Sequence, residues 1–325
     1  MSSQHQPILI GTRGSALALA QANMVLAQCR SAFPELTFEL KIIKTTGDKL
    51  QTASLAQEGQ TLPKGLFTKE LEVALLASQV DLAVHSLKDL PTELPSGLKL
   101  AAVGKRADVR DVLIYRAGSS SSRRGFAPKL SIEQLPAGAV VATSSTRRRA
   151  QLLVHHPGLK VPDIRGNVLT RLQKLAEKAE LDATLLALAG LTRLGYQVTP
   201  EGRLEGENVP DGLLATVLEP EVMLPCVGQG AIGIETRNDD KRIGPICDRL
   251  NDVQTFQCVT AERAFLAAMG GGCQSPVAAY AQATGESLHL RALSFAAGPL
   301  RKAQATRPVR EAVQLGVALA TELKG

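Results

Sequence analysis

Aromatic residues are scarce in this chain of 325 residues, which has no tryptophan, three tyrosines and seven phenylalanines. The core must therefore be built mostly from Leu, Val, Ala and Ile, and few rings are available on which a nucleic-acid base could stack. At roughly 100–200 residues per domain, the length predicts two or three domains. The 44% hydrophobic and 21% charged residues are typical of a globular protein, which excludes disorder as the dominant state.

An ordered cysteine pattern and long apolar runs are lacking as well. The five cysteines include no CxxC pair and have no regular spacing, so we expect neither a disulfide framework nor a metal site. No run approaches the ~18 apolar residues that a membrane span needs. The first residues have no basic segment of the kind that opens a secretion signal, so we expect a reducing cytoplasm or an equivalent compartment after processing.

Strand and helix patterns alternate along most of the chain. Apolar residues 8–10 predict a buried strand, and Ser15 then precedes a helix over residues 16–33 that ends before Pro34. The same order of strand, serine cap and helix returns at residues 140–154. The repetition predicts two similar α/β lobes, each with a largely parallel sheet, and a cleft between them.

Residues 118–125, between the two occurrences of this order of elements, are rich in Gly, Ser and Arg, which is typical of a mobile surface loop.

The last part of the chain has a different pattern, which predicts a small third α+β domain. The elements predicted for the third domain are helices over 255–269 and 309–323 and strands over 277–283 and 287–295.

Positive charge is concentrated in the second lobe. Nine Lys or Arg and two acidic residues lie between Arg123 and Arg171, a net +7 that exceeds the formal +6 of the whole chain. This segment predicts either an anion-binding surface or a solvated basic face. Arg147 and Arg148 lie in the first turn of a predicted helix, where the dipole disfavours cations, so a bound anion is predicted there. Arg123 and Arg124, in the Ser-rich loop, are assigned to the solvated surface.

Three short motifs allow chemical interpretations. Gly228–Gly233 matches G-x-G-x-x-G, but a strand follows where the dinucleotide fingerprint needs a helix, so nucleotide binding is not predicted. Lys88 and Asp89 follow a predicted strand and could meet a ligand or belong to a surface turn ended by Pro91. Cys273 follows three glycines and is either an accessible attachment point or an incidental residue at a helix C-cap.

An ordered set of segments resembles the hydroxymethylbilane synthase family, also called the porphobilinogen deaminases, over nearly the whole chain. No single segment is decisive, but their order is highly specific. The segments are residues 11–21, 64–71, 85–91, 143–148, 165–171, 189–195, 227–230, 261–263 and 271–274.

The resemblance implies an architecture and an activity. Two lobes like those of periplasmic binding proteins would consist of residues 1–106 with 226–250 and of residues 107–225, and residues 253–325 would form the third domain. A dipyrromethane cofactor would be attached through a thioether to Cys273. Four porphobilinogen molecules would be joined head to tail, each losing ammonia, and water would release linear hydroxymethylbilane from a monomeric enzyme.

The resemblance also implies roles for individual residues. Asp89 would be catalytic, stabilising positive pyrrole nitrogens while ammonia leaves and an azafulvene forms, and helping to move protons. Phe67 and residues 58–65 match a mobile loop at the cleft. Residues implied to bind the cofactor are Cys273, Lys88, Ser86, Thr143, Ser145, Arg147, Arg148, Arg171, Ala187, Gly190, Gln229 and Gly230; those implied to bind substrate are Arg13, Ser15, Phe67, Arg165 and Arg193.

Two other functions compete with this one. A two-lobed solute-binding protein would close on an anion without catalysing a reaction. That function would require a secretion signal and would leave Cys273 without a role, and neither expectation fits this sequence. A nucleic-acid binder is suggested by the pI of about 9.1, but the scarcity of aromatics and the absence of a recognised module oppose it. We therefore expect porphobilinogen as the partner, and neither nucleic acid nor a membrane.

Overall fold

A computed structural model describes residues 6–46, 67–118, 124–272 and 275–325. In the described part of the chain, the first sheet has five strands: Ile8–Thr12 (β1), Phe38–Ile42 (β2), Leu82–Ser86 (β3), Leu98–Val103 (β4) and Ile232–Arg237 (β11). Their order in the sheet is β2-β1-β3-β11-β4. β1 is parallel to β2 and β3, whereas β11 is antiparallel to both β3 and β4.

The expectation of a largely parallel sheet is confirmed for strand direction in this lobe, since β11 alone among these five strands runs against the other four. β11 enters the sheet from a point about 130 residues after β4, so its direction is not set by a local crossover helix. Helices cover both faces, with Ile10 and Ile234 in the core on one face and Leu71 and Leu75 in the core on the other. The helices of this lobe are Ala16–Ala32 (α1), Lys69–Leu76 (α2) and Gly244–Leu250 (α6).

The second lobe is built on a four-stranded sheet in the order β10-β5-β7-β6, counted over the described residues. β5 is antiparallel to β10 and β7, and only β6 and β7 pair in parallel, so this sheet is also mixed. Its elements are Asp111–Arg116 (β5), Val141–Ala142 (β6), Thr146–His155 (α3), Val168–Glu177 (α4), Ala183–Ala187 (β7), Leu188–Arg193 (α5), Gln197–Val198 (β8), Leu204–Glu205 (β9) and Leu213–Leu218 (β10).

The C-terminal part is an antiparallel sheet with two helices packed on it. The predicted helices and the first two strands are confirmed with small shifts, whereas β14 was not predicted. β14 carries Arg301, Lys302 and Gln304 at an edge of the sheet, so its sequence lacks a continuous apolar pattern. The elements are Val253–Ala268 (α7), Val277–Thr284 (β12), Ser287–Ser294 (β13), Arg301–Pro308 (β14) and Ala312–Lys324 (α8).

Two connecting segments, residues 104–110 and 219–231, join the two lobes and lie side by side. The Ala107 amide donates a hydrogen bond of 3.0 Å to the Gly230 carbonyl. Gly230 has φ +83°, and a Cβ there would lie 2.5 Å from the Ala107 carbonyl oxygen, so the close approach requires glycine. The connecting segments therefore bring the two lobes together at one place.

The third unit is fixed to the same place by a buried ion pair. Arg106 donates from both terminal nitrogens to Glu262 of α7, with N–O distances of 2.6 and 3.0 Å. Glu262 also accepts from the Gly228 amide at 2.8 Å and from the Ala281 amide at 2.9 Å. The carboxylate outweighs the effect of burial and raises the pKa of Arg106. One carboxylate thus links both connecting segments to the third unit.

The architecture is α/β, with two sheet-based lobes and a small α+β unit, as predicted. The domain boundaries given above stay a prediction. Among the described residues, no helix is both long and apolar enough to cross a membrane.

Candidate active site

A cavity of about 250 Å³ lies where the two lobes and the third unit meet. It brings together predicted residues that are far apart in the sequence and adds several that were not predicted. A larger groove of about 670 Å³ lies between α3 and the third sheet, and its lining includes none of the predicted site residues. The cavity is lined by Lys88, Asp89, Ser144, Ser145, Arg147, Arg148, Arg171, Cys226, Val227, Gln229, Leu266, Gly272, Ser275 and Val277.

Lys88 and Asp89 reach the cavity from a short 3₁₀ turn that follows β3 directly. Leu87 in the same turn is buried, and its amide donates to the Ala231 carbonyl at 3.1 Å, which anchors the turn to the segment before β11. Ser86 does not line the cavity; its hydroxyl pairs with the Gln21 side chain of α1. The turn therefore presents one cation and one carboxylate at the carboxyl end of a central strand.

Arg147 and Arg148 have a partner inside the protein. Arg147 Nη2 lies 2.8 Å from Asp111 Oδ2 and Arg148 Nη2 lies 2.6 Å from Asp111 Oδ1, and all three side chains are buried. Burial alone would raise the pKa of Asp111, but the two guanidinium groups outweigh it and lower the pKa to about 2. The positive charge of Arg147 and Arg148 at the start of α3, which was predicted to bind a ligand, is thus partly balanced by Asp111. Because two cations face one carboxylate, one excess positive charge remains.

Gln229 connects Asp111 to the segment between the lobes. Its Nε2 donates to Asp111 Oδ1 at 3.0 Å and to the Val109 carbonyl at 2.7 Å. The Cys226 thiol donates to Gln229 Oε1 at 3.3 Å. The buried amide of Gln229 therefore orients the group that holds both arginines.

Arg171 and Arg193 are half-buried cations for which no ion pair is found among the described residues. Burial lowers the pKa of each guanidinium to about 10, and for Arg171 the positive charge of Arg148 acts in the same direction while Asp89 opposes it. Arg171 lines the cavity, and Arg193 lies outside its lining and donates to the Gly230 carbonyl at 2.6 Å. A guanidinium kept charged under these conditions favours an anion beside it.

The predicted hydroxyl groups have local structural partners. Ser15 Oγ accepts from the Ala18 amide at the start of α1, and Ser145 Oγ accepts from the Arg148 amide at the start of α3. Thr143 is buried, and its Oγ1 accepts from the Ser145 amide at 3.2 Å. Of these three residues, Ser145 lines the cavity.

The remaining predicted residues do not line the cavity. The Arg13 guanidinium carbon lies 4.1 Å from the centre of the Phe67 ring, a cation–π contact. Ala187 precedes α5, and a Cβ on Gly190 would lie 3.8 Å from Leu17 of α1, so the two lobes approach each other there. Arg165 is half-buried before α4.

Several predictions fall on residues outside the described ranges. Cys273 is one of them, as are residues 58–65, Arg123 and most of the loop 118–125. The neighbours of Cys273 are described: Gly272 and Ser275 both line the cavity, and the Gly272 amide donates to Ser275 Oγ at 3.1 Å.

Ion pairs reduce the excess charge of the basic segment. Arg149 pairs with Asp163 at 2.5 Å, and Arg124 pairs with Asp182 at 3.3 Å. Both arginines are at least 40% exposed, so these pairs are of the surface type. The cations that line the cavity are therefore a subset of the basic segment, together with Lys88 from the first lobe.

Sequence reasoning missed Asp111, Arg106, Glu262 and Cys226. One feature of the sequence could have identified Asp111: it is a charged residue at the start of the apolar run 112–115.

Among the described residues, no group of three or more His, Cys, Asp or Glu is placed to hold a metal ion.

Two α/β lobes and a third unit meet at a cationic cavity with one accessible carboxylate, which defines a protein with a binding site that favours an anion. A family model described as "porphobilinogen deaminase, dipyromethane cofactor binding domain" matches residues 8–244, and one described as "porphobilinogen deaminase, C-terminal domain" matches residues 256–325. The chain belongs to the porphobilinogen deaminase family, transferases of tetrapyrrole synthesis.

Individual relatives match over nearly the full length. A porphobilinogen deaminase of Chlorobium phaeobacteroides (strain BS1) is 42% identical over 323 residues, which covers 97% of this chain and 94% of the relative. One from Paracoccus denitrificans (strain Pd 1222) is 42% identical over 329 residues, covering 100% and 96%. The family model that matches residues 8–244 describes a domain that binds a dipyrromethane cofactor.

Solved structures resemble the chain more remotely. The BenM effector-binding domain with its effector benzoate has 15% identity and a TM-score of 0.40, covering 77% of this chain and 93% of that chain. An ancestral arginine-binding protein bound to arginine has 15% identity and a TM-score of 0.37, covering 76% and 91%. These scores are below 0.5, so the description of the fold rests on the sheets given above.

Proposed function

We propose that this chain joins porphobilinogen molecules head to tail in the described cavity, with loss of one ammonia per step, and that water releases a linear hydroxymethylbilane after four additions. One observation carries the proposal: Lys88, Asp89, Arg147, Arg148 and Arg171 line a single cavity. Porphobilinogen has two carboxylate side chains, so substrate and growing product are anions of the kind that this lining favours.

The cavity lining suits a dipyrromethane cofactor. Four cations face Asp89 and the buried Asp111, which leaves a positive balance for the carboxylates of such a group. When bound, dipyrromethane supplies a fixed pyrrole to which the first substrate is added. Lys88, Arg148 and Arg171 would hold its carboxylates, and Cys273 would form the thioether. This attachment is supported by the position of Gly272 and Ser275 in the lining on either side of residues 273–274.

Asp89 is assigned the chemical role. Its carboxylate is partly exposed in a cavity that otherwise carries cations, so it can stabilise the positive charge that develops on a pyrrole nitrogen of porphobilinogen as ammonia leaves. It can also accept a proton from the substrate at the same atoms. The arginines hold the substrate carboxylates and keep them away from Asp89.

The residues around the cavity are assigned to the incoming substrate. Arg193 is half-buried, and its Nε is a buried donor for which no partner is found among the described residues. Arg13 lies against Phe67 in the first lobe, and Arg165 belongs to the second lobe. Together with Ser15, these side chains form a second set of groups for carboxylate binding.

The intact mass of the purified chain tests the cofactor assignment. We expect the wild-type chain to exceed its sequence mass by two linked pyrroles and to give a coloured product with an aldehyde reagent for pyrroles. Cys273→Ser should lose both signals. Cys226→Ser is the matched control, because Cys226 is a thiol that lines the same cavity, and it should keep both. An unmodified mass in active wild-type protein, or loss of the modification in Cys226→Ser, would contradict the assignment.

Three further properties belong to the proposal. The division into three domains at the boundaries given above is one, and a monomeric state, tested by sedimentation, is another. A cytoplasmic location is the third, supported by Cys29, Cys226, Cys247 and Cys258, which are all free thiols.

A further inference from the structure

A buried group of titratable side chains lies beneath the strand that leads to Asp89, outside the cavity. His85 Nε2 of β3 lies 3.0 Å from Glu235 Oε2 of β11, and Glu72 of α2 lies close to both. Their exposed fractions are 5%, 0% and 8%. We call these three residues the Glu72 cluster. It is covered by apolar residues of the same layer, Leu71, Ala74, Leu75 and Ala83.

The charges that face Glu72 are few. Glu235 and His85 face it from β11 and β3, and Glu70 lies on its own helix. β1 has no titratable residue. Arg237 of β11 is directed to the other end of α2, where it binds the Leu75 carbonyl, and Lys99 of β4 binds the Asn238 carbonyl. One imidazole therefore faces three carboxyl groups.

Two carboxyl oxygens of the cluster are unsatisfied, although the Thr68 hydroxyl lies near Glu72. Glu72 Oε1 and Glu235 Oε1 are both buried, and neither has a hydrogen-bond partner among the described residues. Two ionised carboxylates would leave these acceptors unsatisfied and put uncompensated charge in a layer of leucines. A proton on Glu72 turns one orphaned acceptor into a donor and leaves Glu235 as the single anion beside His85. Burial is the largest effect on the pKa of Glu72 and raises it; the Thr68 hydroxyl opposes this effect and the charge of Glu235 adds to it, and the net rise agrees with this arrangement.

The cluster stabilises the part of the sheet that determines where Asp89 lies. In the register of β11 with β3, Gly233 is opposite His85 and Ile232 is opposite Ser86, the last residue of β3. Lys88 and Asp89 follow in the next turn. We propose that Glu72 is a positioning residue that holds a proton, and that its carboxyl group, with the His85–Glu235 pair, fixes the end of β3 from which Lys88 and Asp89 reach the cavity.

The proton can be observed in the wild-type enzyme. In protein labelled with ¹³C at the glutamate carboxyl carbons, one signal should titrate at higher pH than the other glutamates, and Glu72→Gln should remove that signal. This measurement does not depend on turnover, so its result is independent of the roles proposed for Asp89 and Cys273. A spectrum in which every glutamate titrates in the ordinary range would overturn the proposal.

Two substitutions separate a protonated acid from an ionised one. Glu72→Gln keeps the shape and the donor, so kcat and KM should stay close to wild type. Glu72→Leu removes the donor, and displacement of the turn should lower kcat roughly 10- to 100-fold with little change in KM. Rescue by Gln but not by Leu is the expected result. Equal damage in both variants, or none in Leu, would contradict it.

Thermal unfolding between pH 5 and pH 9 gives a further readout. A raised pKa means that the folded state loses stability as pH rises above 4.5, the ordinary value for this group, until Glu72 ionises in the folded protein. The melting temperature of Glu72→Gln should therefore exceed that of wild type by an amount that grows with pH. Glu39→Gln, an exposed change on β2, is the control and should show no such trend. A pH-independent difference for Glu72→Gln would count against the proton.

Discussion

Arg148 Nη2 lies 2.6 Å from Asp111 Oδ1, and both side chains are buried at the cavity. Asp111 also pairs with Arg147, so one carboxylate determines where two of the cavity's cations lie. A pair of this kind contributes little net stability when complete, but loss of one partner leaves charge buried without compensation. The relationship makes Asp111 as important for the site as the arginines that line it.

Asp111→Asn should destabilise the protein strongly at neutral pH. Both guanidinium groups would lose their counter-ion inside the protein, which typically costs about 3–5 kcal/mol. Urea unfolding of wild type and variant measures the difference. Asp108→Asn is the control, because Asp108 forms a partly exposed pair with Arg110 and its loss should cost about 0–1 kcal/mol. Similar small losses in both variants would refute the role given to Asp111.

The free energy of unfolding should depend on the titration of Asp111 at acid pH. Its pKa in the fold, about 2, is below its ordinary value of 3.8, so its contribution is complete above about pH 4 and is lost as pH falls towards 2. The linked free energy is roughly 2 kcal/mol. Unfolding measured from pH 7 down to pH 2 should show the gap between wild type and Asp111→Asn narrowing below pH 4. A gap that stays constant over that range would mean that Asp111 does not titrate as proposed.

Glu262→Gln should weaken the attachment of the third unit. The buried carboxylate of Glu262 receives hydrogen bonds from Arg106, Gly228 and Ala281, and an amide would place a donor against them. We expect a loss of about 3–5 kcal/mol in urea unfolding. Glu219→Gln is the control, since Glu219 pairs with Arg110 at the surface and its loss should cost about 0–1 kcal/mol. An unchanged unfolding midpoint in Glu262→Gln would contradict the linking role.

Arg171→Met should weaken substrate handling more than stability. The half-buried guanidinium lines the cavity beside Arg148, and its charge is available to a carboxylate of the bound pyrroles. Loss of one charge-assisted hydrogen bond, worth about 1.5–3 kcal/mol, should lower kcat/KM roughly 10- to 100-fold. Arg124→Met, at a half-exposed pair with Asp182, should leave kcat/KM unchanged. Equal effects at the two positions would place the anion site elsewhere.

Features set by neighbouring residues could be predicted from the sequence. Ser15 and Ser145 were predicted to open helices, and each hydroxyl accepts from an amide three residues ahead, because capping is local chemistry. The strand predicted to follow Gly230 is confirmed as β11. Lys88, Asp89 and the arginine pair were found through motifs that keep their residues close in sequence.

Features that depend on distant residues could not be predicted. Asp111 meets Arg148 37 positions further along the chain and Gln229 118 positions further, and no local pattern encodes these contacts. The direction of β11 could not be predicted for the same reason, since its partner β3 lies some 150 residues earlier. Sequence reasoning therefore assigned the charge of Arg147 and Arg148 wholly to a ligand, whereas Asp111 balances part of it.

Turnover of primer-loaded Asp89→Asn is the measurement that tests the account most directly. The variant should keep its intact-mass excess of two pyrroles and its unfolding midpoint, while kcat falls roughly 10²- to 10⁴-fold, because Asn cannot stabilise the developing charge or take up a proton. Glu93→Gln, an exposed carboxylate shortly after the turn, is the control and should keep wild-type turnover. Turnover of Asp89→Asn within about threefold of wild type, with the primer in place, would contradict the assignment of this cavity as the site of chemistry.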